Sequence, residues 1–134
     1  LSSLYTDIQH QMLNGSFNVA SNSFYVLLVN ATYTPNFAAD QTLAAVPSGA
    51  QLCVPQALEM VFNSFSSAFV AAPLTLTGVA TTSAIEAIVI VKDIGGASST
   101  WPLVAYVNEG LNFGEPAESA NVQIVWDNRG IFAP

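Results

Sequence analysis

Chemistry in a protein needs reactive side chains held within reach of one another, and this chain of 134 residues supplies few. Its single histidine, His10, falls on the polar side of a short N-terminal segment. An acyl-transfer triad would have to use that imidazole, and no nucleophile in a shaped loop stands near it in sequence, so His10 reads as a surface helix residue. The single cysteine, Cys53, excludes an internal disulfide and reads as a small buried hydrophobe. One histidine and one cysteine are too few for a zinc site of the usual kind.

The carboxylates Glu109, Glu115 and Glu118 are close enough in sequence to suggest an oxygen-ligated cation, but they lack the short regular spacing of a calcium loop. A solvated acidic loop is the expectation. A pair for sugar hydrolysis would need two carboxylates across a cleft, which spacing alone does not show. Gly95-Gly96 offers backbone amides to a phosphate, yet no helix start follows and the wider dinucleotide pattern is missing. A hairpin loop accounts for the pair. Trp101, Tyr106 and Trp126 could together make a platform for a sugar ring, although strand aromatics more often serve a core or an interface. Lys92 and Asp93, where an apolar strand ends, read as a surface ion pair of little energetic weight. No cofactor is expected.

The elements that would position these residues are mostly strands. Ile85 to Lys92 is a β-branched run, Asp93 to Ser99 supplies turn residues, and Thr100 to Val107 is apolar again, which predicts a β-hairpin with a long loop. Both faces of its first strand are apolar, so something must cover each side: a second sheet and a short helix, or another protein molecule. Ser23 to Ala31 is a second strand of the same kind.

Ser2 or Ser3 is placed to cap a helix over Leu4 to Leu13, with Leu4, Ile8 and Met12 on one face and Asn14-Gly15 as the stop. Residues 1–15 thus form either a helix packed on its own sheet or an arm for a neighbouring subunit. Ser16 to Ala20, Gln51 to Val54, Leu58 to Asn63, Leu74 to Thr77 and Ala120 to Asp127 are further strand candidates. Thr34-Pro35-Asn36 is a turn, Asp40 caps a helical turn over Gln41 to Val46, and Asp127 to Gly130 is a turn before Ile131-Phe132. The pattern predicts one all-β domain over residues 1–134, an antiparallel β-sandwich of jelly-roll or immunoglobulin-like type with a short N-terminal helix.

Composition narrows the partners. Charged residues are 8% of the chain, the net charge is −7, and Lys92 and Arg129 are its cations, so neutralising a nucleic-acid backbone is implausible. The hydrophobic fraction is 51%, but no apolar run approaches the roughly 18 residues that span a bilayer, and no membrane partner is expected. Residues 1–15 lack a basic start followed by an apolar block, so no export signal is expected there.

Taken together, the N-terminal helix ending in Gly15, the strand Phe24 to Val29, Tyr33-Thr34-Pro35-Asn36, Ile88 to Asp93, Leu103 to Val107, and Trp126-Asp127-Asn128 with Gly130-Ile131-Phe132 form an ordered pattern. In that pattern the chain resembles small tailed-bacteriophage virion proteins of the capsid cement or decoration type. It departs at Asn108, where that pattern has aspartate, and in a connector to the last strand that is more acidic than glycine-rich. The resemblance implies a non-enzymatic structural protein on the phage head, made in the host cytoplasm, with the major capsid protein and copies of itself, as a homodimer or homotrimer, as partners. The contact residues expected are Leu4, Tyr5, Ile8, Met12, Tyr33, Pro35, Phe37 and Phe132. A chain poor in charge with doubly apolar strands fits a role that needs surface rather than catalysis. A carbohydrate-binding β-sandwich for host or mucus adsorption, a tail-associated virion protein, and a glycosidase acting through acidic residues are the alternatives.

Overall fold

The computed structural model describes residues 2–15, 23–59, 61–63, 68–71, 73–107 and 114–126. In chain order the elements are β1 (Ser2–Leu4), α1 (Thr6–Leu13), β2 (Ser23–Val29), β3 (Gln56–Leu58), β4 (Val61–Asn63), β5 (Ala68–Val70), β6 (Leu74–Leu76), β7 (Ala87–Asp93), β8 (Leu103–Val107) and β9 (Val122–Ile124). Short 3-10 turns occupy Leu43–Ala45, Ser48–Ala50 and Ser98–Thr100.

Strand β7 is the middle of an antiparallel five-stranded sheet ordered β1-β8-β7-β2-β3. Its β-branched side chains crowd a helix but stand clear of one another on a pleated strand. The register opposite β2 pairs Phe24 with Lys92, Val26 with Ile90 and Leu28 with Ile88 on one face, and Tyr25 with Val91 and Leu27 with Val89 on the other. Val26 to Val29 and Ala87 to Val91 are all fully buried, so both faces of the paired strands are covered. Each such valine, leucine or isoleucine contributes about 1.5–3 kcal/mol by leaving water. The buried side chains, including Leu76 of β6 and Ile124 of β9, form one contiguous cluster.

The cover comes from the chain itself. On the face of Phe24 and Lys92 lies α1, whose Gln11 reaches Lys92. On the other face, Tyr33 and Phe37 set their rings against Tyr106 at centroid distances of 6.2 and 6.1 Å, and Trp101 lies against Tyr25 at 4.9 Å. A second molecule is therefore not needed to shield the apolar strands. Among the described residues the large apolar side chains that remain exposed are Leu13, Val54, Ile94 and Val125.

The predicted hairpin is present, with β7 opposite β8 in the register Ile88 to Val107 and Ile90 to Ala105. The register then slips, so that Val91 faces Leu103 and Val104 is the extra residue of a β-bulge. The Val104 carbonyl accepts the Tyr5 amide at 3.1 Å, which helps lash the N-terminal segment to β8. The all-β antiparallel architecture with one short helix is the one expected, arranged as the five-stranded sheet and two two-stranded ladders, β4-β5 and β6-β9.

Several local expectations are corrected. The helix begins at Thr6, because Ser2–Leu4 is used as an edge strand on β8, and Tyr5 stands at the N-cap without a side-chain cap. Asp40 caps no helix: the turn at Leu43–Ala45 follows Thr42, and the Asp40 carboxylate faces Tyr33 and Asn36. Gln51 to Val54 contains a single bridge, Gln51 to Val29, rather than a strand. The expected strand from Leu58 to Asn63 divides, since Leu58 pairs with Phe24 in the large sheet while Val61–Asn63 pairs with β5. The last strand is shorter than expected, Val122–Ile124, and pairs with β6. The expectations for Ser16 to Ala20, for Asp127 to Gly130 and for Ile131-Phe132 lie outside the described residues.

Candidate functional site

Two groups of polar side chains are assembled around α1, and both depend on sequence-distant partners. The first is built from Tyr5, Tyr33 and Asp40. Tyr5 is held by the Val104 carbonyl, and the next residue, Thr6, donates its amide to Phe37 O at 2.9 Å, so the helix entry and the 33–40 loop are pinned together. The Tyr5 and Tyr33 hydroxyl oxygens are 2.6 Å apart, and Tyr33 donates to Asp40 Oδ2 at 2.9 Å. Asp40 Oδ2 also accepts the Asn36 amide at 2.9 Å, which closes the Tyr33-Thr34-Pro35-Asn36 turn. Burial pushes both tyrosine pKa values well above the ordinary range, because a phenolate there would lose its water.

The second group is Lys92, Gln11 and Asp7. Lys92 is 6% exposed, and its ammonium nitrogen Nζ is 2.5 Å from Gln11 Oε1. Gln11 Nε2 donates to Asp7 Oδ2 at 3.1 Å, one helical turn earlier. Burial lowers the Lys92 pKa, and the nearby Asp7 charge opposes that shift in part. The expected Lys92–Asp93 surface pair is thus replaced: Lys92 turns inward, and Asp93 Oδ1 instead accepts the Gly95 amide at 2.7 Å to shape the loop. An alternating strand sends neighbouring side chains to opposite faces, which parts them.

Of the contact residues expected from sequence, Tyr5, Ile8 and Tyr33 are buried within the chain, while Leu4, Met12, Pro35 and Phe37 are half-buried. The structure gathers several of them in one place, with the Tyr5 and Phe37 rings 5.1 Å apart, but it does so inside the molecule. Phe132 lies outside the described residues. Gln11 and Asp40, which organise the two groups, were not among the expected residues. Their partners lie on other elements, so no local motif announces them.

The remaining candidates are dispersed. Trp101 is half-buried against Tyr25, Tyr106 packs with Tyr33 and Phe37, and Trp126 is buried with its indole N–H unpaired among the described residues, so the three do not form one platform. Cys53 is buried, which raises its thiol pKa, and His10 is exposed on α1. Glu115 and Glu118, both exposed, line an open cleft with Ile85, Ser119 and Asn121, while Glu109 is outside the described residues. Gly95 and Gly96 sit in the hairpin loop with positive φ, as a tight turn requires. Among the described residues no three of His, Cys, Asp and Glu gather as metal ligands, and no helix is long and apolar enough to cross a membrane. Compared with family models, curated proteins and solved structures, the chain matches none.

Proposed function

We propose that this chain is a non-enzymatic structural protein of a tailed-phage virion, a cement or decoration subunit that binds the outer surface of the assembled capsid lattice and self-associates there. The observation that carries the reading is the character of the exposed surface. Among the described residues the charged side chains that are exposed are Glu59, Glu86, Glu115 and Glu118, and most others are Ala, Ser, Thr, Gly, Asn, Gln and Pro.

Small neutral side chains lose little rotamer freedom and shed few tightly bound waters when a partner covers them. Such a surface favours extended contact of modest strength per area, multiplied over a repeating shell. Because the apolar strands are internal, the docking surface is the loop and helix exterior, with Leu13, Val54 and Ile94 as its apolar points. The segments that carry the phage-protein resemblance support the same reading: the helix, the Tyr33 to Asn36 turn and the Lys92-Asp93 hairpin are neighbours around one sheet. In this reading the five-stranded sheet is one layer of a sandwich of jelly-roll or immunoglobulin-like type, and the two-stranded ladders belong to its second layer.

Cryo-electron microscopy of virions from the phage that encodes the chain tests the proposal. Density for it on the exterior of the head is expected. Its location in the tail, or its absence from particles, would overturn the capsid assignment.

One observation favours a second reading. The half-buried Trp101 against Tyr25 offers a partly open aromatic face of the kind on which a sugar ring stacks. Glycan-array binding that is lost in a folded Trp101→Ala variant would favour adsorption to host or mucus glycans over capsid cementing.

A further inference from the structure

We propose that the open cleft between the 3-10 turns at Leu43–Ala45, Ser48–Ala50 and Ser98–Thr100 binds a ring of an uncharged glycan. Its volume is about 280 Å³, near the lower end of the roughly 300–1,000 Å³ of small-molecule sites, which suits a single pyranose. The site deepens the glycan reading made from Trp101 and stands apart from the capsid assignment.

Three features of the lining select such a ligand. First, among the described residues no side chain that lines the cleft is charged, so an ionic ligand would give up water without meeting an opposite charge. Second, the lining mixes hydroxyl groups with apolar surface: Ser48, Ser98 and Ser99 are exposed, while Leu43 and Val46 are buried. A pyranose carries the same mixture, with hydroxyls around its rim and C–H groups on its faces. Third, the polar groups are unspent. Among the described residues none of the three serine hydroxyls has a hydrogen-bond partner, and Gln51, whose Nε2 donates to Val46 O at 3.3 Å, keeps Oε1 to accept. Thr100, in the same turn as Ser98 and Ser99, by contrast spends its hydroxyl on Ala97 O at 2.7 Å.

The walls are fixed before any ligand arrives. Leu43 donates its amide to Trp101 O and Leu103 donates to Gln41 O, each at 2.9 Å, and Thr42 and Pro102 form a β-bridge between these bonds. The two sides therefore need little ordering on binding, a cost that a weak neutral ligand is poorly able to offset. The turns satisfy their own amides, Val46 on Leu43 O, Gln51 on Ser48 O and Trp101 on Ser98 O, so a peptide finds no run of free amides there to pair with as an added strand. Trp101 closes the turn that carries Ser98 and Ser99, and its half-buried ring, set on Tyr25 at 4.9 Å, brings aromatic surface next to that turn.

Nuclear magnetic resonance titration of the isotope-labelled full chain tests the site, with lactose, maltotriose and N,N′-diacetylchitobiose as neutral probes and sialyllactose as the charged counterpart. Amide shifts at residues 43–51 and 98–101 are expected with at least one neutral sugar, and sialyllactose should bind no tighter than lactose. Gln51→Ala and Ser99→Ala should each weaken binding by about tenfold, the loss of one ligand hydrogen bond. Ser99→Trp, at an exposed position, fills the cleft and should abolish binding with the circular dichroism unchanged. Absence of shifts with all three neutral sugars would overturn the proposal, and so would binding that Ser99→Trp leaves intact. If that retained binding is lost in Trp101→Ala, the glycan reading survives with its contact elsewhere, while the cleft is excluded.

Discussion

The hydroxyl oxygens of Tyr5 and Tyr33 lie 2.6 Å apart, and because Tyr33 donates its proton to Asp40, Tyr5 must donate to Tyr33. This one-way chain joins the residue that starts the helix to the loop that covers the sheet. It satisfies two phenol groups that would otherwise be costly to bury.

Removing the middle member should therefore cost more than a single hydrogen bond. Tyr33→Phe leaves the buried Tyr5 hydroxyl without its acceptor and takes one donor from Asp40, a loss expected at about 1–3 kcal/mol. Urea unfolding at neutral pH, compared with wild type, reads the difference.

The same burial makes a prediction about alkaline pH. The folded-state pKa values of Tyr5, Tyr33 and Tyr106 are raised above the ordinary tyrosine value of 10.0, each mainly by burial. A raised folded value means the unfolded chain releases these protons first, so the stability they contribute is whole below about pH 10 and is lost as pH rises through the folded values. Tyrosinate absorbance and far-ultraviolet circular dichroism should change together above pH 10. Ionisation of all the tyrosines at their ordinary value with the dichroism intact would contradict the buried placement.

The internal position of the central strands is open to a paired test. Ile90→Ala should destabilise by about 2–5 kcal/mol, since the residue is fully buried and the space it leaves is walled by neighbouring strands. Leu13→Ala should stay within about 0.5 kcal/mol, because Leu13 is 87% exposed. Equal small effects at both sites in thermal unfolding would mean that β7 is not central.

The hairpin loop should be sensitive to backbone conformation rather than to space. Gly95 and Gly96 have φ of 84° and 71°, and an added Cβ at either would meet no atom within 4 Å. Gly95→Ala and Gly96→Ala should each cost about 1–2 kcal/mol, the penalty of a left-handed conformation for an L-residue. Asn at the same positions should cost less, and thermal midpoints of the two series separate strain from crowding.

The sequence by itself determined the long central strands and the hairpin loop that follows β7. Apolar runs rich in β-branched and aromatic residues marked β2 and β7, the Asp93 to Ser99 run marked the loop from β7 to β8, and these features survive because each is decided by neighbours a few residues away. Tertiary structure decided what the strands met. Nothing local says that Ser2–Leu4 will find β8 or that Lys92 will turn inward to Gln11, because the partners are far along the chain and an edge strand or a buried amine is stabilised only by what packs against it. For the same reason the apolar faces that suggested a second molecule are closed by Tyr33, Phe37 and α1. The burial that hides them, and not the pattern that makes them apolar, is a property of the folded whole.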